Sequence, residues 1–290
     1  GTIAMLGISG LLLASEADEW GIVICSDIAR YEVSSTAELT QGSGSVGILL
    51  EKNPRLLKLN IGAIGYSSED VDDFFRPLGS TTAKVKAGAS IKCYNRSLET
   101  SFLDFTSRVG RTPERVLEES DYYVLHTPFK MMPLRSMSLL VQKYMKMDKR
   151  AVDKFLWEKG FHDALDPIAD VGNIYTGSTF LTLAFLLKQQ CDKLGRNMVG
   201  KKILIGSYGS GNTMVFMEAE ITADAPEVIS NWDIGKLFSS ARQGSFEEYS
   251  RWIDLPRDRK GLNELLCSIE APVNEYTLLS IREDGYREYR

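Results

Sequence analysis

The residues best suited to chemistry lie at the end of one apolar segment. Four apolar residues, Tyr122–Leu125, lead into His126, one of two histidines in the sequence, and a Thr-Pro pair follows directly. A short apolar run predicts a buried strand, and a residue before proline is disfavoured in a helix. In open α/β sheets ligands bind at the carboxyl ends of strands, so we expect His126 at the end of a central strand and at the mouth of a site. Imidazole titrates near neutral pH, which suits such a site; a core histidine bonded to a backbone carbonyl is the alternative.

The composition argues against several classes of function. The 290 residues include 34 basic and 39 acidic side chains, and this balance provides no field to attract nucleic acid or an anionic membrane. The four cysteines are widely separated and, with two histidines, form no zinc-ligand pattern. Cys25, inside an apolar run, is expected to be a small buried hydrophobe. We find no run of 18 apolar residues and no signal-peptide pattern, and we expect a reducing, cytoplasmic environment.

Two pairs of similar segments indicate an internal duplication. Residues 42–51 and 209–218 both open with Gly-Ser-Gly, continue with an apolar run and place Glu at the same offset. The apolar residues 1–14 resemble residues 172–187 at nearly the same spacing. A repeat of this length predicts two similar α/β halves, each with a buried helix and a glycine-rich turn into a strand; chance similarity of such turns is the alternative. Because residues 1–14 are apolar on every side, we expect that helix to be buried and the sequence to begin inside a domain.

Local patterns predict the elements between these repeats. Thr112-Pro113-Glu114 is typical of a helix start, with a capping threonine and a proline in the first turn. His162 is expected to lie in a loop. The predicted segments are a buried strand at 20–25 ending at 26–27, paired strands at 45–50 and 55–64, helices at 90–109, 136–147 and 149–159, and a strand at 202–205.

Seven short segments, taken in order, resemble the hydroxymethylglutaryl-CoA synthase family of thiolase-fold condensing enzymes. Each segment is weak evidence alone, and the shared order along nearly the whole sequence carries the resemblance. The segments are Ser26-Asp27-Ile28-Ala29-Arg30-Tyr31, Thr40-Gln41-Gly42-Ser43-Gly44-Ser45-Val46, Asp73-Phe74-Phe75-Arg76-Pro77, Ser90-Ile91-Lys92-Cys93-Tyr94, His126-Thr127-Pro128-Phe129, Gly172-Asn173-Ile174-Tyr175-Thr176 and Ser207-Tyr208-Gly209-Ser210-Gly211.

The resemblance implies a duplicated, layered α/β fold of the thiolase type with buried helices. On this basis residues 1–75 would be the remainder of a first half that is incomplete at its N-terminus, and residues 76–290 the second half. In the family, acetyl-CoA acylates a cysteine and a glutamate removes a methyl proton. The carbanion then attacks acetoacetyl-CoA, and water releases the product. Neither the cysteine nor the glutamate has a match here, so we expect both to lie upstream of this sequence.

The resemblance assigns the remaining site residues. His126 matches the catalytic histidine, which would donate to the ketone oxygen as charge develops. Asn173, Ser210, Asp27 and Asp73 match substrate-binding or supporting positions. The alternatives are a helix N-cap for Asn173, a turn residue for Ser210, a cap at a strand-to-helix turn for Asp27 and an acidic loop for Asp73.

Residues near the CoA arm are also implied by the resemblance. Arg135 and Lys130 match the basic residues that follow the histidine, with Lys130 one place early, and Thr40 and Ser90 match positions beside the arm. A solvated helix face is the alternative for the two basic residues. No cofactor is implied, because the CoA thioesters are the substrates.

Three functions follow as hypotheses. The first is a mevalonate-pathway synthase, implied to be a cytoplasmic homodimer that acts on acetyl-CoA and acetoacetyl-CoA. The second is a polyketide β-branching synthase whose acceptor is carried by an acyl carrier protein, which basic residues after Arg76 could meet. The third is a non-catalytic fragment that binds acyl-CoA. A thiolase or ketoacyl synthase is compatible with the fold, but fold alone does not decide function.

Overall fold

A computed structural model describes most of the chain. The described residues are 1–80, 82–239, 241–253, 259–268 and 276–290. Contacts divide the chain into two compact units, Gly1–Ile234 and Gly235–Arg290.

Helices and strands occur in groups along the chain. The helices are α1 (Thr2–Ala14), α2 (Ala87–Val109), α3 (Pro113–Glu119), α4 (Met131–Met145), α5 (Lys149–Glu158), α6 (Phe161–Leu165), α7 (Ile168–Val171), α8 (Thr176–Leu194), α9 (Ala225–Ser230), α10 (Ile234–Ser239), α11 (Phe246–Ile253) and α12 (Arg259–Cys267). The strands are β1 (Gly21–Ala29), β2 (Gly42–Leu50), β3 (Leu57–Leu59), β4 (Gly65–Ser68), β5 (Phe74–Phe75), β6 (Lys84–Val85), β7 (Tyr122–Leu125), β8 (Lys202–Gly209), β9 (Thr213–Ile221), β10 (Leu278–Ile281) and β11 (Arg287–Tyr289).

The main sheet has the order β3-β9-β8-β7, and β4 also pairs with β9. Strands β7 and β8 are parallel, with Leu125 opposite Gly206, whereas β9 runs antiparallel to its neighbours. All four residues of β7 are buried, which confirms the predicted buried strand. The prediction that β7 is a central strand was wrong, because β7 lies at one edge of the sheet formed by the described strands. Helices α6 and α8 contact it.

Alternate residues of β8 face two different cores. Ile203 and Ile205 belong to an apolar cluster that includes residues of α8, while Leu204 and Tyr208 belong to a second cluster with α2 and α4. This period of two is the geometry of a strand with both faces covered. Helix α8 also contacts β1 and β2, so it lies between the main sheet and the β1–β2 pair. The architecture is therefore layered α/β with a buried helix, as expected.

A helix followed by an antiparallel strand pair occurs twice in the chain. The first copy is α1 with β1 and β2, and the second is α8 with β8 and β9. The helix and the strand pair of the predicted duplication are thus present twice. The glycine-rich turn is not repeated, because Gly42 and Gly44 lie inside β2 whereas Ser210 and Gly211 form the turn between β8 and β9. Strands β3 and β4 precede residue 75 yet pair with β9, so both sides of the predicted boundary contribute to one sheet. The division at residues 75 and 76 itself stays a prediction.

Several local predictions near the N-terminus were wrong. Strand β1 continues to residue 29, and β2 pairs with β1. The predicted pairing of β2 with residues 55–64 is absent. Within that segment only Leu57–Leu59 form a strand, and this strand pairs with β9. Helix α1 was expected to be buried but buries only Thr2, Met5 and Leu12. The described chain covers one face of this helix–hairpin unit, which leaves alternate β1 side chains such as Ile22 and Ile24 exposed.

The predicted helices between the repeats are present with shifted ends. The hydroxyl of Thr112 accepts a hydrogen bond from the Arg115 N–H at 3.3 Å, which confirms the helix start at Pro113. Helix α2 ends at Gly110, whose φ of 65° favours glycine. Helix α4 begins at Met131, five residues earlier than predicted, directly after the segment that contains His126.

The unit Gly235–Arg290 contains a helix and a short hairpin in contact. Helix α12 packs on β10, and β10 pairs antiparallel with β11. The side chain of Asn263 accepts from the Ile281 N–H at 2.8 Å and donates to the Ile281 carbonyl at 2.9 Å.

Candidate functional site

His126 is anchored on both sides of its backbone at the end of β7. Its N–H donates to the Gly206 carbonyl at 2.8 Å, which continues the parallel pairing, and its carbonyl accepts from the Tyr94 hydroxyl at 2.9 Å. The ring atom Nδ1 lies 3.4 Å from the hydroxyl of Thr179, so its side-chain partner is a hydroxyl and not the carbonyl considered above. The residue is 7% exposed, and burial lowers the pKa of the imidazole to about 4. His126 is therefore neutral at physiological pH.

Asp73 is buried beside the turn that contains Ser210. One oxygen of its carboxylate accepts from the Tyr208 hydroxyl at 2.9 Å, and the other accepts from the Gly211 N–H at 3.2 Å. Burial raises the pKa of Tyr208, and the Asp73 charge adds to this effect. The neighbouring Asp72 is exposed and pairs with Lys86, so the two adjacent acids occupy different environments. Asp73 is not part of a simple acidic loop.

Tyr208 connects Asp73 to the surroundings of His126. Its ring centroid lies 5.0 Å from that of Tyr94 and 6.4 Å from that of His126. Ser210 is exposed in the turn between β8 and β9, and its hydroxyl interacts with the Tyr208 phenol. The structure thus places His126, Asp73 and Ser210 around one tyrosine.

Asn173 is held by a close approach of two backbones. Its N–H donates to the Thr40 carbonyl at 2.9 Å, and a Cβ at the preceding Gly172 would lie 2.0 Å from the Gln41 carbonyl oxygen. The Asn173 amide donates to the Tyr31 hydroxyl at 2.8 Å. Burial raises the pKa of Tyr31 to about 12, so this phenol stays protonated. The Thr40 carbonyl accepts from the Asn173 N–H, so Thr40 helps to hold the Asn173 backbone in place.

The first turn of α8 brings His126 and Asn173 together. Ser178 donates to the Asn173 side-chain oxygen at 3.3 Å, and the next residue, Thr179, contacts His126. The Asn173 oxygen also accepts from the N–H of Tyr175 at 2.8 Å. The proposed alternative that Asn173 is the helix N-cap was wrong, because α8 begins three residues later at Thr176 and Tyr175 occupies the cap position.

Ser90 and Asp27 differ in burial. Ser90 is buried in the first turn of α2, one turn before Tyr94 on the same helix face. Asp27 is exposed within β1, opposite Gly44, so it is not a cap at a strand-to-helix turn. The pKa of Tyr175 is raised mainly by burial, and the Asp27 charge adds to this effect. The nearby Arg76 lowers the same pKa.

The basic residues after His126 lie on the surface. Arg135 is exposed on α4, and Lys130 precedes that helix and forms an ion pair with Asp166. Within the described ranges we find no hydrogen bond from either residue to His126, Asn173 or Asp73. Their assignment to the CoA arm stays a prediction.

The expectation that His162 lies in a loop was wrong. It belongs to α6, is buried, and stacks on the Trp157 ring at a centroid distance of 4.5 Å and an interplanar angle of 4°. Its Nε2 lies 3.2 Å from the Asp153 carboxylate. Burial lowers its pKa, although that carboxylate opposes the effect.

Sequence reasoning missed several side chains that hold the site. Tyr94, Tyr208 and Tyr31 lie inside the segments that carry the resemblance, but no spacing rule distinguishes them from ordinary core aromatics. Thr179 had a usable signal, because threonines at 176, 179 and 182 place hydroxyls along one stretch of an otherwise apolar helix.

The described ranges contain neither a cluster of side chains that could hold a metal ion nor a helix that could span a membrane. In those residues no group of three or more His, Cys, Asp or Glu side chains could hold a metal ion. In the same part of the chain no helix has the length and apolar character needed to cross a bilayer.

Comparisons with known proteins agree on one family. The profile described as hydroxymethylglutaryl-coenzyme A synthase C terminal matches residues 140–278. Hydroxymethylglutaryl-CoA synthase of Haloferax volcanii is 30% identical over 88% of this chain and 62% of its own length. The polyketide biosynthesis 3-hydroxy-3-methylglutaryl-ACP synthase PksG of Bacillus subtilis is 28% identical over 84% of this chain and 58% of its own length. The chain thus spans about three-fifths of these curated relatives.

A solved structure shows the same architecture. MvaS in complex with 3-hydroxy-3-methylglutaryl coenzyme A superposes with a TM-score of 0.81 and 28% identity, over 100% of this chain and 71% of that one. Family profile, relatives and structural neighbour agree with the ordered motifs and the thiolase-like layers. The chain belongs to the hydroxymethylglutaryl-CoA synthase family.

Proposed function

We propose that the full-length protein condenses an acetyl thioester with an acetoacetyl thioester to form a hydroxymethylglutaryl thioester. The observation that carries the proposal is the convergence of neutral His126 and Asn173 at the first turn of α8. In a protein of this family, those two groups form the acceptor side of the reaction.

The chemistry requires a donor where negative charge develops on the acceptor ketone. A neutral imidazole can donate a hydrogen bond to that oxygen, and a buried donor is more effective than one in water. The Asn173 amide can orient the acceptor carbonyl. Ser210, in the exposed turn next to Tyr208, can contact the thioester arm.

None of the four cysteines is proposed as the nucleophile. Burial raises the pKa of the Cys25 thiol, which disfavours the thiolate needed for attack, and Cys93 is buried within α2. The family's acylated cysteine and its glutamate base match no residue of this sequence, so we assign both to the part of the protein outside it.

Release of free CoA by the full-length protein tests the proposal. Acetyl-CoA and acetoacetyl-CoA together should release CoA faster than the sum of the two substrates incubated separately, because condensation consumes both. Mass spectrometry should identify the condensed product. A folded full-length protein that gives only the separate hydrolysis rates would contradict the assignment.

A second candidate acceptor is acetoacetyl on an acyl carrier protein. The similarity to the hydroxymethylglutaryl-ACP synthase PksG favours it, as does the exposed pair Arg76 and Lys84, which could meet an acidic carrier. Turnover with acetoacetyl-carrier and with acetoacetyl-CoA at equal concentration separates the two. Lys84→Glu should reduce only carrier-dependent turnover, and Lys149→Glu, at the exposed start of α5, is the matched control.

The pathway, assembly and location that we propose depend on whether the acceptor is carried by CoA. With a CoA acceptor we propose the mevalonate pathway, a cytoplasmic homodimer and no cofactor beyond the substrates. A protein that binds acyl-CoA without turnover would match the third hypothesis instead.

A further inference from the structure

We infer that Thr179 is a positioning residue that selects the tautomer of His126 with its proton on Nε2. The inference deepens the proposed function, since it states which ring nitrogen faces the acceptor as a donor. It rests on the hydrogen-bond partners of the buried hydroxyl groups near the imidazole ring of His126.

Thr179 is fixed relative to the imidazole. It is fully buried in the first turn of α8, and its Oγ1 lies 3.4 Å from Nδ1 of His126. The backbone of His126 is tied to Gly206 on one side and to Tyr94 on the other. The remaining freedom of the imidazole is rotation of its own side chain, which the contact with Thr179 restricts.

The buried hydroxyls near Thr179 donate to backbone carbonyls. Thr182 donates to the Ser178 carbonyl at 2.9 Å, and Thr127 donates to the Leu125 carbonyl at 2.8 Å. For Thr179, the described part of the chain offers no carbonyl within hydrogen-bond range. Its proton is therefore directed to Nδ1, the acceptor within reach.

The hydrogen-bond donors and acceptors of the imidazole and of the Thr179 hydroxyl then determine the tautomer. A neutral imidazole has one protonated nitrogen and one lone pair. If Nδ1 carried the proton, the Thr179 hydroxyl would be a buried donor without an acceptor, which is unfavourable. With the Thr179 proton on Nδ1, the ring proton resides on Nε2. Nε2 is then a preset donor for an oxygen that gains negative charge.

The test replaces the hydroxyl without changing side-chain volume. Thr179→Val removes the donor, Thr179→Ser restores it, and Thr179→Ala is a second deletion with less bulk. Thr182→Val is the matched control, because it removes a buried hydroxyl one turn later that contacts Thr127 instead of the imidazole. The full-length protein is labelled with ¹⁵N-histidine, and loss of the signal in His126→Gln assigns it.

We expect Thr179→Val and Thr179→Ala to shift the His126 tautomer ratio by about fivefold toward Nδ1–H, the equivalent of one ordinary buried hydrogen bond. Thr179→Ser and Thr182→Val should keep the original ratio. In turnover, kcat should fall by up to about threefold in the two deletion variants with KM little changed, because a fivefold shift away from a preferred tautomer removes at most about two-thirds of the Nε2–H form that donates in the transition state.

Two results would overturn the inference: an unchanged tautomer ratio in both deletion variants, or an equal shift in Thr182→Val. The spectroscopic result is independent of turnover. If the ratio shifts as expected while the protein shows no condensation, the positioning role stands and the proposed function fails.

Discussion

Replacement of His126 should make the fold less sensitive to acid. The folded protein holds this imidazole at a pKa of about 4, whereas an exposed histidine has a value of 6.5. As pH falls, the unfolded chain binds the proton first. Stability from the buried neutral ring is therefore complete above pH 6.5 and is lost as pH falls toward 4.

The magnitude follows from the two pKa values. Their separation corresponds to about 3 kcal/mol of unfolding free energy at full titration, and linkage gives about 2 kcal/mol lost between pH 7.5 and pH 5. In His126→Gln this contribution is absent. The free energy of unfolding of the variant should therefore fall by about 2 kcal/mol less than that of the unsubstituted protein over the same interval.

Urea unfolding at several pH values, followed by circular dichroism, measures the difference. Carboxylates titrate in both proteins, so they cancel when the two pH profiles are subtracted. His162→Gln is the second histidine variant; its pKa is also lowered by burial, so its profile should change with the same sign. Parallel profiles for His126→Gln and the unsubstituted protein would refute the claim that the ring is buried and neutral.

Three further predictions separate the roles of the buried polar groups. His126→Ala should lower condensation by about 10²–10⁴-fold while acetylation of the enzyme is retained, because the ring lies on the acceptor side; equal loss of both half-reactions, measured with labelled acetyl-CoA, would contradict this. Asp73→Asn should cost about 1–3 kcal/mol in unfolding free energy, since a buried carboxylate that accepts two hydrogen bonds is replaced, whereas Asp72→Asn at the exposed neighbour should have a much smaller effect. Similar urea midpoints for these two variants would show that the burial difference has no energetic effect. His162→Ala removes a ring stacked on Trp157 and should cost about 1–3 kcal/mol without changing turnover; a thermal melt and a rate measurement check it, and lost turnover at full stability would be inconsistent with a structural role.

Local elements of the fold were predictable because their signals are local. The start of α3 and the buried strand β7 depend on neighbouring residues alone. The pairing of β2 with β1 and of β3 with β9 was not predictable from the same evidence. Strand pairing is decided by contacts distant in sequence, and an apolar segment fits more than one partner.

The site was predictable as a set of residues but not as a network. The resemblance pointed to His126, Asn173 and Asp73, yet it did not show that Tyr208 and the first turn of α8 connect them. The burial difference between adjacent acids at 72 and 73 also arises only in the folded chain. His162 illustrates the reverse error, because it was expected in a loop although it lies in α6 and its ring packs on an aromatic face.

The buried hydroxyls of α8 have a consequence for selection. Ser178, Thr179 and Thr182 are fully buried, where an apolar side chain of similar size would avoid the desolvation of a hydroxyl. A library screened only for heat tolerance should therefore accumulate valine and alanine at these positions. The same library screened for turnover should reject them at Ser178 and Thr179, which contact Asn173 and His126, and should tolerate them at Thr182. The helix would then show a trade-off between thermal tolerance and activity at the two buried positions 178 and 179, as expected where a protein accepts a less favourable core to maintain a working site.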